Sequence, residues 1–183
     1  MPLFGLAKDL AGNEVHPQPA FSLVADPAHL WFVATHRKPA RLHPGARPGG
    51  FQAELWQHDV AELFLADPLS GRYLELNLSP NGAWWSCEFT APRVRVDELD
   101  IAMPDVATFS ELAADGTWVA AMAIPLDLLR ARVDFGNQTR LNVTMILESP
   151  AQRFLSAADL GPGEPDFHQP DRFTTARMTP LPG

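Results

Sequence analysis

The chain has 183 residues, of which 46% are hydrophobic, and its formal net charge is −8. This length predicts one domain, spanning residues 1–183, that is large enough to bury a core. The acidic balance argues against nucleic acid and anionic membranes as partners, because both need clustered Lys and Arg, whereas a neutral ligand is not penalised by it.

Cysteine content and hydropathy set further limits. Cys87 is the only cysteine, so an intrachain disulfide is excluded and a disulfide-stapled secreted scaffold is not expected. The first ten residues lack the basic-then-apolar pattern of a signal peptide, and no stretch reaches the ~18 apolar residues of a transmembrane helix. We therefore expect a cytoplasmic protein.

Short strands separated by turns account for most of the chain. The 18 prolines and 12 glycines are spread along it, as in proteins built of many short strands. Runs rich in aromatic and aliphatic residues predict strands at residues 29–36, 59–66, 72–78, 83–90, 117–124 and 140–147, and a closing strand at 173–179.

The segment 72–78 alternates with a period of two. Tyr73, Glu75 and Asn77 fall on one face, and leucines fall on the other. One face should therefore be buried, while the other carries polar chemistry. The intervening DPLSG sequence at 67–71 predicts a turn, so 59–66 and 72–78 should form an antiparallel hairpin. A second turn is predicted at Asn81 and Gly82.

Helical periodicity is almost absent, apart from one or two turns predicted at 125–130. The sequence predicts an all-β fold, a sandwich of two antiparallel sheets with long end loops. Two Pro- and Gly-rich regions without strand character, 38–54 and 156–171, are the predicted loops. Long loops at the end of a sandwich commonly build ligand sites, but surface decoration explains them equally well.

A family resemblance is carried by three blocks of sequence. The block WQHDVAELFL, from Trp56 onward, resembles the W-x-x-D-x-x-E-[IVL]-F-[IVL] core of family-nine carbohydrate-binding modules and their DOMON-like relatives. YLELN, from Tyr73, is similar to that family's next strand. PDFHQPDRF, from Pro165, is similar to its closing segment and to a bacterial subgroup to which the resemblance assigns no function. Together the blocks span roughly residues 30–179.

The resemblance implies a two-sheet sandwich in which two aromatic side chains clamp a sugar. Trp56 takes the place of the first aromatic residue, and Phe167 that of the second, which is usually Trp. Glu62 falls on a carboxylate that accepts hydrogen bonds from sugar hydroxyl groups. Tyr73, Glu75, Asn77 and His168 are the further ligand-binding candidates.

The same residue types suit sugar binding on physical grounds, because aromatic faces take C–H groups and carboxylates bind hydroxyl groups. Trp56, between a Pro/Gly-rich loop and a strand, should lie at a rim. Trp84 and Trp85 are adjacent in a strand and must point to opposite faces, so we expect one in the core and one in a site. Trp31 and Trp118 are expected in the core.

Acid–base catalysis is not indicated. Asp59 and Glu62 are three apart on a strand and should face opposite ways, and Asp59 is better explained as a cap for backbone N–H groups. The chain contains no G-x-S-x-G motif and no phosphate-binding glycine loop, and Cys87 should be an inert buried thiol.

Metal and haem sites remain alternatives. His58 and His168 could approach each other if the end loops meet, and some DOMON-like domains bind haem through a Met and a His. The chain has no C-x-x-C-H motif, and Met103, Met122, Met145 and Met178 lie mostly in apolar strand contexts. Acidic residues around Asp97 could bind calcium, although no D-x-D-x-D-G loop exists.

The leading hypothesis is a non-catalytic module for a neutral carbohydrate or similar small polar ligand, with no resident cofactor. One alternative is a haem-binding DOMON-type redox domain. The other is a protein-interaction scaffold that uses exposed aromatic residues and binds no small ligand.

Overall fold

The computed structural model describes residues 2–161 and 163–176. It has two antiparallel sheets, as the sequence predicts. The first has the order β1-β2-β3-β9-β8 and comprises β1 (Phe4–Gly5), β2 (Ala20–Ala25), β3 (His29–His36), β8 (Ala107–Leu112) and β9 (Trp118–Pro125). The second has the order β11-β10-β4-β5-β6-β7 and comprises β4 (Val60–Ala66), β5 (Tyr73–Leu78), β6 (Trp84–Ala91), β7 (Val94–Arg95), β10 (Arg140–Leu147) and β11 (Arg153–Ser156), with β12 (Thr174–Thr175) also paired to β10.

All six strands predicted from the sequence are confirmed within one or two residues at each end. The predicted closing strand is confirmed only at β12, since residues 177–179 and Met178 lie outside the described part. Five strands are not predicted from the sequence: β2, β8, β11 and the two-residue strands β1 and β7. β8 is an edge strand with five of its six residues exposed. Because it has no buried face, its sequence lacks the alternation of apolar and polar residues by which strands are predicted.

The predicted hairpin between β4 and β5 is confirmed, with Ala66 opposite Tyr73 at its closed end. Asp67 caps the turn, because its carboxylate accepts the Leu69 N–H at 2.9 Å. Gly71 has a φ of 72°, a backbone conformation that glycine adopts without a steric penalty. The second predicted turn joins β5 to β6 through Gly82, with a φ of 84°.

The core between the sheets is formed by the inward-facing residues of their central strands. The second sheet contributes Leu63, Leu65, Leu74, Leu76, Leu78, Trp84, Val143 and Met145, and the first contributes Leu30, Phe32, Trp118, Met122 and Ile124. The predicted helical turns form α1 (Leu126–Val133), which packs Leu129 and Val133 into this core. No helix in the described ranges is long and apolar enough to cross a membrane.

The other face of the second sheet is also covered, which the sequence analysis did not predict for 72–78. All six residues of β5 are buried, so both faces of this strand are packed. The cover is the C-terminal segment, formed by residues 157–161 and 163–173, which places Leu160, Phe167 and Phe173 against Phe64, Trp85 and Phe89. The face that carries Glu75 is therefore an interior layer, not a solvated surface.

Two of the tryptophan predictions have opposite outcomes. Trp118 is fully buried in the core, as predicted. The prediction for Trp31 is wrong, because its ring lies half-buried on the outer face of the first sheet, 6.0 Å from the Phe109 ring. There the indole N–H donates to Asp26 Oδ2 at 2.7 Å, which leaves that polar group satisfied at the surface.

Asp59 is the cap that the sequence predicts, and it fastens two loops to the start of β4. Its side chain is 3% exposed. Oδ2 accepts the backbone N–H of Arg41 at 3.1 Å, and Oδ1 accepts that of Ser149 at 2.9 Å. A single carboxylate thus joins the 38–54 loop, β4 and the β10–β11 connection.

Replacing Asp59 tests this anchoring role. Asp59→Ala is expected to lower the free energy of unfolding by about 2 kcal/mol, because two backbone N–H groups lose a buried acceptor. Asp115→Ala is the matched control, since Asp115 caps the Thr117 N–H in an exposed turn, and it should cost about 0.5 kcal/mol or less. Urea denaturation measures both, and equal losses would contradict the anchoring role.

Candidate functional site

A cavity of about 410 Å³ lies on the outer face of the second sheet, under the C-terminal segment. Its floor comes from β4, β5 and β6, and its walls come from β10, β11 and residues 165–168. Lining side chains named in the sequence analysis are Trp56, Glu62, Glu75, Trp85, Phe167 and His168. The other lining residues, which the sequence analysis missed, are Phe89, Arg93, Arg95, Ile146, Phe154 and Pro165.

A row of polar side chains crosses the sheet at the level of the floor. Strand register places Thr144 opposite Glu62, Glu62 opposite Asn77, and Asn77 opposite Trp85. Neighbouring strands lie about 4.8 Å apart, so these four side chains share one face at contact spacing. Thr144 Oγ1 bonds to Glu62 Oε2 at 2.8 Å. The face shared by Glu75 and Asn77, which the alternation of 72–78 predicts, is confirmed, and Glu62 lies on it as well.

Two members of this row carry polar groups without partners. Within the described ranges, Trp85 Nε1 has no hydrogen-bond partner. The Asn77 side chain makes no close hydrogen bond either, although it lies near enough to Glu75 to lower the pKa of that carboxyl group. Asn77 is fully buried and is not among the cavity-lining residues, whereas Trp85 lines the cavity and is 5% exposed. A buried polar group without a partner is costly, so this part of the sheet has unused hydrogen-bonding capacity.

Glu62 and Glu75 form a pair of buried carboxyl groups. Glu75 faces Phe64 in the register, two residues along β4 from Glu62, so the two acids are diagonal neighbours. Burial, and then repulsion from Glu75, raise the pKa of Glu62 well above its ordinary value. Burial raises the pKa of Glu75 to about 7, against the opposing effect of Asn77, Arg95 and Arg93. At neutral pH this floor therefore offers carboxylic acid groups that can donate as well as accept.

His168 joins the covering segment to the floor through a directional chain. The Arg93 backbone N–H donates to the Tyr73 hydroxyl at 3.0 Å, and that hydroxyl lies 2.8 Å from His168 Nδ1. The Tyr73 hydroxyl therefore donates its own proton to His168 Nδ1. The histidine proton is then on Nε2, which lies 3.8 Å from Glu75 Oε2. Burial, with a smaller contribution from Arg93, lowers the pKa of His168 to about 4, so the ring is neutral.

Tyr73 is a supporting residue rather than part of the cavity surface. Its side chain is fully buried, and its ring stacks on Phe89 with centroids 4.8 Å apart. Burial also raises the pKa of its hydroxyl, which stays protonated and fixes the orientation of His168.

Two arginines stand at the mouth of the cavity, each with its own carboxylate. Arg93 donates to Asp166 at 3.0 Å, which ties the β6–β7 turn to the covering segment. Arg95 donates to Asp100 at 2.9 Å, and its guanidinium carbon lies 5.4 Å from the centroid of the Trp85 ring. In the sequence, both follow the apparent end of the strand 83–90, and nothing in their spacing marks them as site residues.

Trp56 lies at the rim, where the sequence places it. It sits in a 3-10 turn, Leu55–Gln57, in which Leu55 is buried while the Trp56 side chain is 50% exposed. Gln152 Nε2 donates to the Trp56 carbonyl at 2.9 Å, which fixes the backbone against the β10–β11 turn. The indole is therefore held in place but open to solvent.

Phe167 lines the same cavity but is largely packed into its wall. The side chain is 8% exposed, with ring centroids 6.5 Å from Phe64 and 6.0 Å from Phe154, both edge-to-face. The two aromatic residues of the predicted clamp thus share one cavity, but they are not equally open. Trp56 presents a free ring, while Phe167 contributes a small apolar surface.

Trp84 and Trp85 point to opposite faces of the second sheet, as predicted, and both are buried. Trp84 belongs to the core between the sheets, and Trp85 belongs to the cavity. Cys87 is buried on the cavity side, and burial raises the pKa of its thiol to about 11, which fits the predicted inert thiol.

The haem and metal alternatives gain no geometric support. His58 lies edge-on to His43, with ring centroids 5.2 Å apart, while His168 is engaged by Tyr73. Met103, Met122 and Met145 are buried between the sheets, on the far side of the second sheet from His168. In the described ranges, no three His, Cys, Asp or Glu side chains are grouped as a metal site would require.

Comparison with known proteins gives similarity in structure only. No family model and no curated protein matches the chain. A crystal structure from Bacteroides uniformis, of a protein described provisionally as carbohydrate-binding, has a TM-score of 0.69 at 17% identity, over 96% of this chain and 85% of the other.

Two further similar structures are of family-nine carbohydrate-binding modules from Caldicellulosiruptor kristjanssonii. The one in complex with glucose has a TM-score of 0.53 at 14% identity, over 86% of this chain and 75% of the other. The one in complex with cellotriose has a TM-score of 0.54 at 16% identity, over 93% and 84%. The chain therefore has the β-sandwich fold of family-nine carbohydrate-binding modules.

Proposed function

We propose that the protein is a non-catalytic module that binds a neutral carbohydrate, or a similar small polar ligand, in the cavity over the second sheet. The observation that carries the proposal is the combination, in one cavity, of the open Trp56 ring with the buried carboxyl groups of Glu62 and Glu75. The modules of the same fold that were solved with glucose and cellotriose support a sugar as the ligand class.

Size and surface chemistry agree with this ligand class. A volume of about 410 Å³ is within the range of small-molecule sites and accommodates a mono- or disaccharide. Sugars present C–H groups on one side and hydroxyl groups around the ring, and they need both apolar and hydrogen-bonding surfaces. Trp56, with a smaller contribution from Phe167, supplies the first of these surfaces.

The floor supplies the second surface. Glu62, Glu75 and the Nε2–H of His168 offer donors and acceptors at the cavity surface, and the Trp85 indole N–H is a further donor. Tyr73 acts indirectly by orienting His168, and Asn77 by its position between Glu62 and Trp85. Since water competes for every sugar hydroxyl, we expect dissociation constants in the millimolar range.

Trp56 provides the first test. Trp56→Ala is expected to weaken binding of glucose or cellobiose about tenfold, because the stacking surface for the sugar ring is lost. Isothermal titration calorimetry measures the change without relying on tryptophan fluorescence. Trp31→Phe is the matched control, since Trp31 lies on the outer face of the other sheet, and it should leave affinity unchanged. If neither sugar produced heat, or if both variants bound equally well, the stacking role would be refuted.

The protonation of the floor provides the second test. Because burial raises the pKa of Glu75 from 4.5 to about 7, this group's contribution to stability is full below about pH 4.5 and is lost as pH rises from there to about 7. Glu75→Gln removes that loss. The difference in free energy of unfolding between the variant and the original chain should therefore change by about 2 kcal/mol, in favour of the variant, from pH 5 to pH 8.

The comparison is made by denaturation at both pH values, with Glu111→Gln on the exposed edge strand β8 as the control. His168 changes stability in the opposite direction, because its lowered pKa makes the folded state gain stability as pH rises through about 4 to 6.5. The variant is therefore compared with the original chain at each pH. A difference that stayed constant with pH would contradict the proposed protonation of the floor.

A further inference from the structure

Two carboxyl groups, Glu62 and Glu75, and two guanidinium groups, Arg93 and Arg95, line the cavity. Arg93 and Arg95 are each paired with a carboxylate outside the floor, Asp166 and Asp100. Within the described ranges, Glu62 makes no ion pair, and the only such partner of Glu75 is His168 at 3.8 Å. Since that histidine is neutral, the two floor carboxyl groups have no cation in contact with them.

Aromatic rings surround this acidic floor. Five of them line the cavity, and their faces favour cations within about 6 Å. They belong to Trp56, Trp85, Phe89, Phe154 and Phe167. The arrangement already holds one cation in this way, because the Arg95 guanidinium lies over the Trp85 ring.

Unused hydrogen-bonding groups lie next to the carboxyl pair. Trp85 Nε1 is a buried donor without a partner in the cavity wall. The fully buried Asn77 amide lies opposite both Glu62 and Trp85 in the register, and it is near enough to Glu75 to lower the pKa of that carboxyl group. These groups call for a polar ligand that brings both donors and acceptors to the floor, which an isolated cation does not.

We infer that the cavity selects a sugar that carries a protonated primary amine over the same sugar with a hydroxyl group, with the ammonium held between Glu62 and Glu75. The inference rests on the proposed function and specifies its ligand. The ammonium supplies the cation that the floor lacks, and its N–H groups bind two acceptors with charge-assisted hydrogen bonds.

Protonation of the free site gives the inference a pH signature. Burial raises the pKa of both floor carboxyl groups, so at neutral pH an arriving ammonium must displace a proton. Amine binding should therefore strengthen as pH rises through about 7. The other groups facing Glu75 do not reverse this sign, because Tyr73 and Cys87 stay protonated, His168 stays neutral and the guanidiniums stay charged.

The test compares 6-amino-6-deoxyglucose, glucosamine, their N-acetyl derivatives and glucose by calorimetry at pH 6 and pH 8. The first amine stays mostly protonated over this range, as alkyl amines do. We expect at least one amine to bind about tenfold more tightly than glucose at pH 8, with a smaller preference at pH 6. Repeating the titration in buffers of different ionisation enthalpy should show proton release on amine binding.

Variants separate the possible outcomes. Glu75→Gln should abolish the proton release and lower the affinity for 6-amino-6-deoxyglucose to that for glucose, and Glu62→Gln serves as a second variant should the first fail to fold. Glu111→Gln on the exposed edge strand β8 should change neither. Glucose binding without amine preference would overturn this inference and leave the proposed function standing. Absence of binding by every sugar would overturn both.

Discussion

Two carboxyl groups buried on one face of the second sheet constrain everything built around them. Leaving Glu62 and Glu75 ionised and without a counter-ion would cost several kcal/mol, so the fold must protonate them, bind them or cover them with polar partners. The Thr144 hydroxyl donates one hydrogen bond to Glu62, while His168 Nε2 lies 3.8 Å from Glu75 Oε2, beyond hydrogen-bond distance. Both carboxyl-bearing side chains also line the cavity, and this distinguishes the floor from an ordinary core.

Hydrogen bonds, an ion pair and aromatic packing fix the loops around the cavity to the second sheet. Asp59 ties the 38–54 loop and the β10–β11 connection to β4, and Gln152 holds the backbone of Trp56. The covering segment is held by Phe167 and Phe173 against the sheet and by the Arg93–Asp166 ion pair. A site whose walls are held in this way loses little conformational entropy when a ligand binds, which suits weak but selective recognition.

The sequence predicted which residues share a face of a strand better than it predicted what packs against that face. Alternation in 72–78 correctly placed Tyr73, Glu75 and Asn77 on one face, because the period of two is a local property of a strand. It could not show that this face is buried, since the cover comes from a segment about ninety residues later. Trp31 was misplaced for the related reason that an aromatic residue in a strand does not reveal which face carries the core. Arg93 and Arg95 left no signal, because ordinary surface turns also carry arginine.

The position of the covering segment and the protonation of His168 depend on each other in this site. The Tyr73 hydroxyl accepts the Arg93 N–H and orients His168, so the proton on Nε2 depends on where the β6–β7 turn lies. That turn is in turn held to the covering segment by Asp166. A ligand that changes the charge on Glu75 therefore acts on neighbouring groups that contact the covering segment at two points, His168 and Asp166. Ligand binding and the packing of residues 165–168 should consequently change together, whereas the core between the sheets, built from separate residues, need not respond.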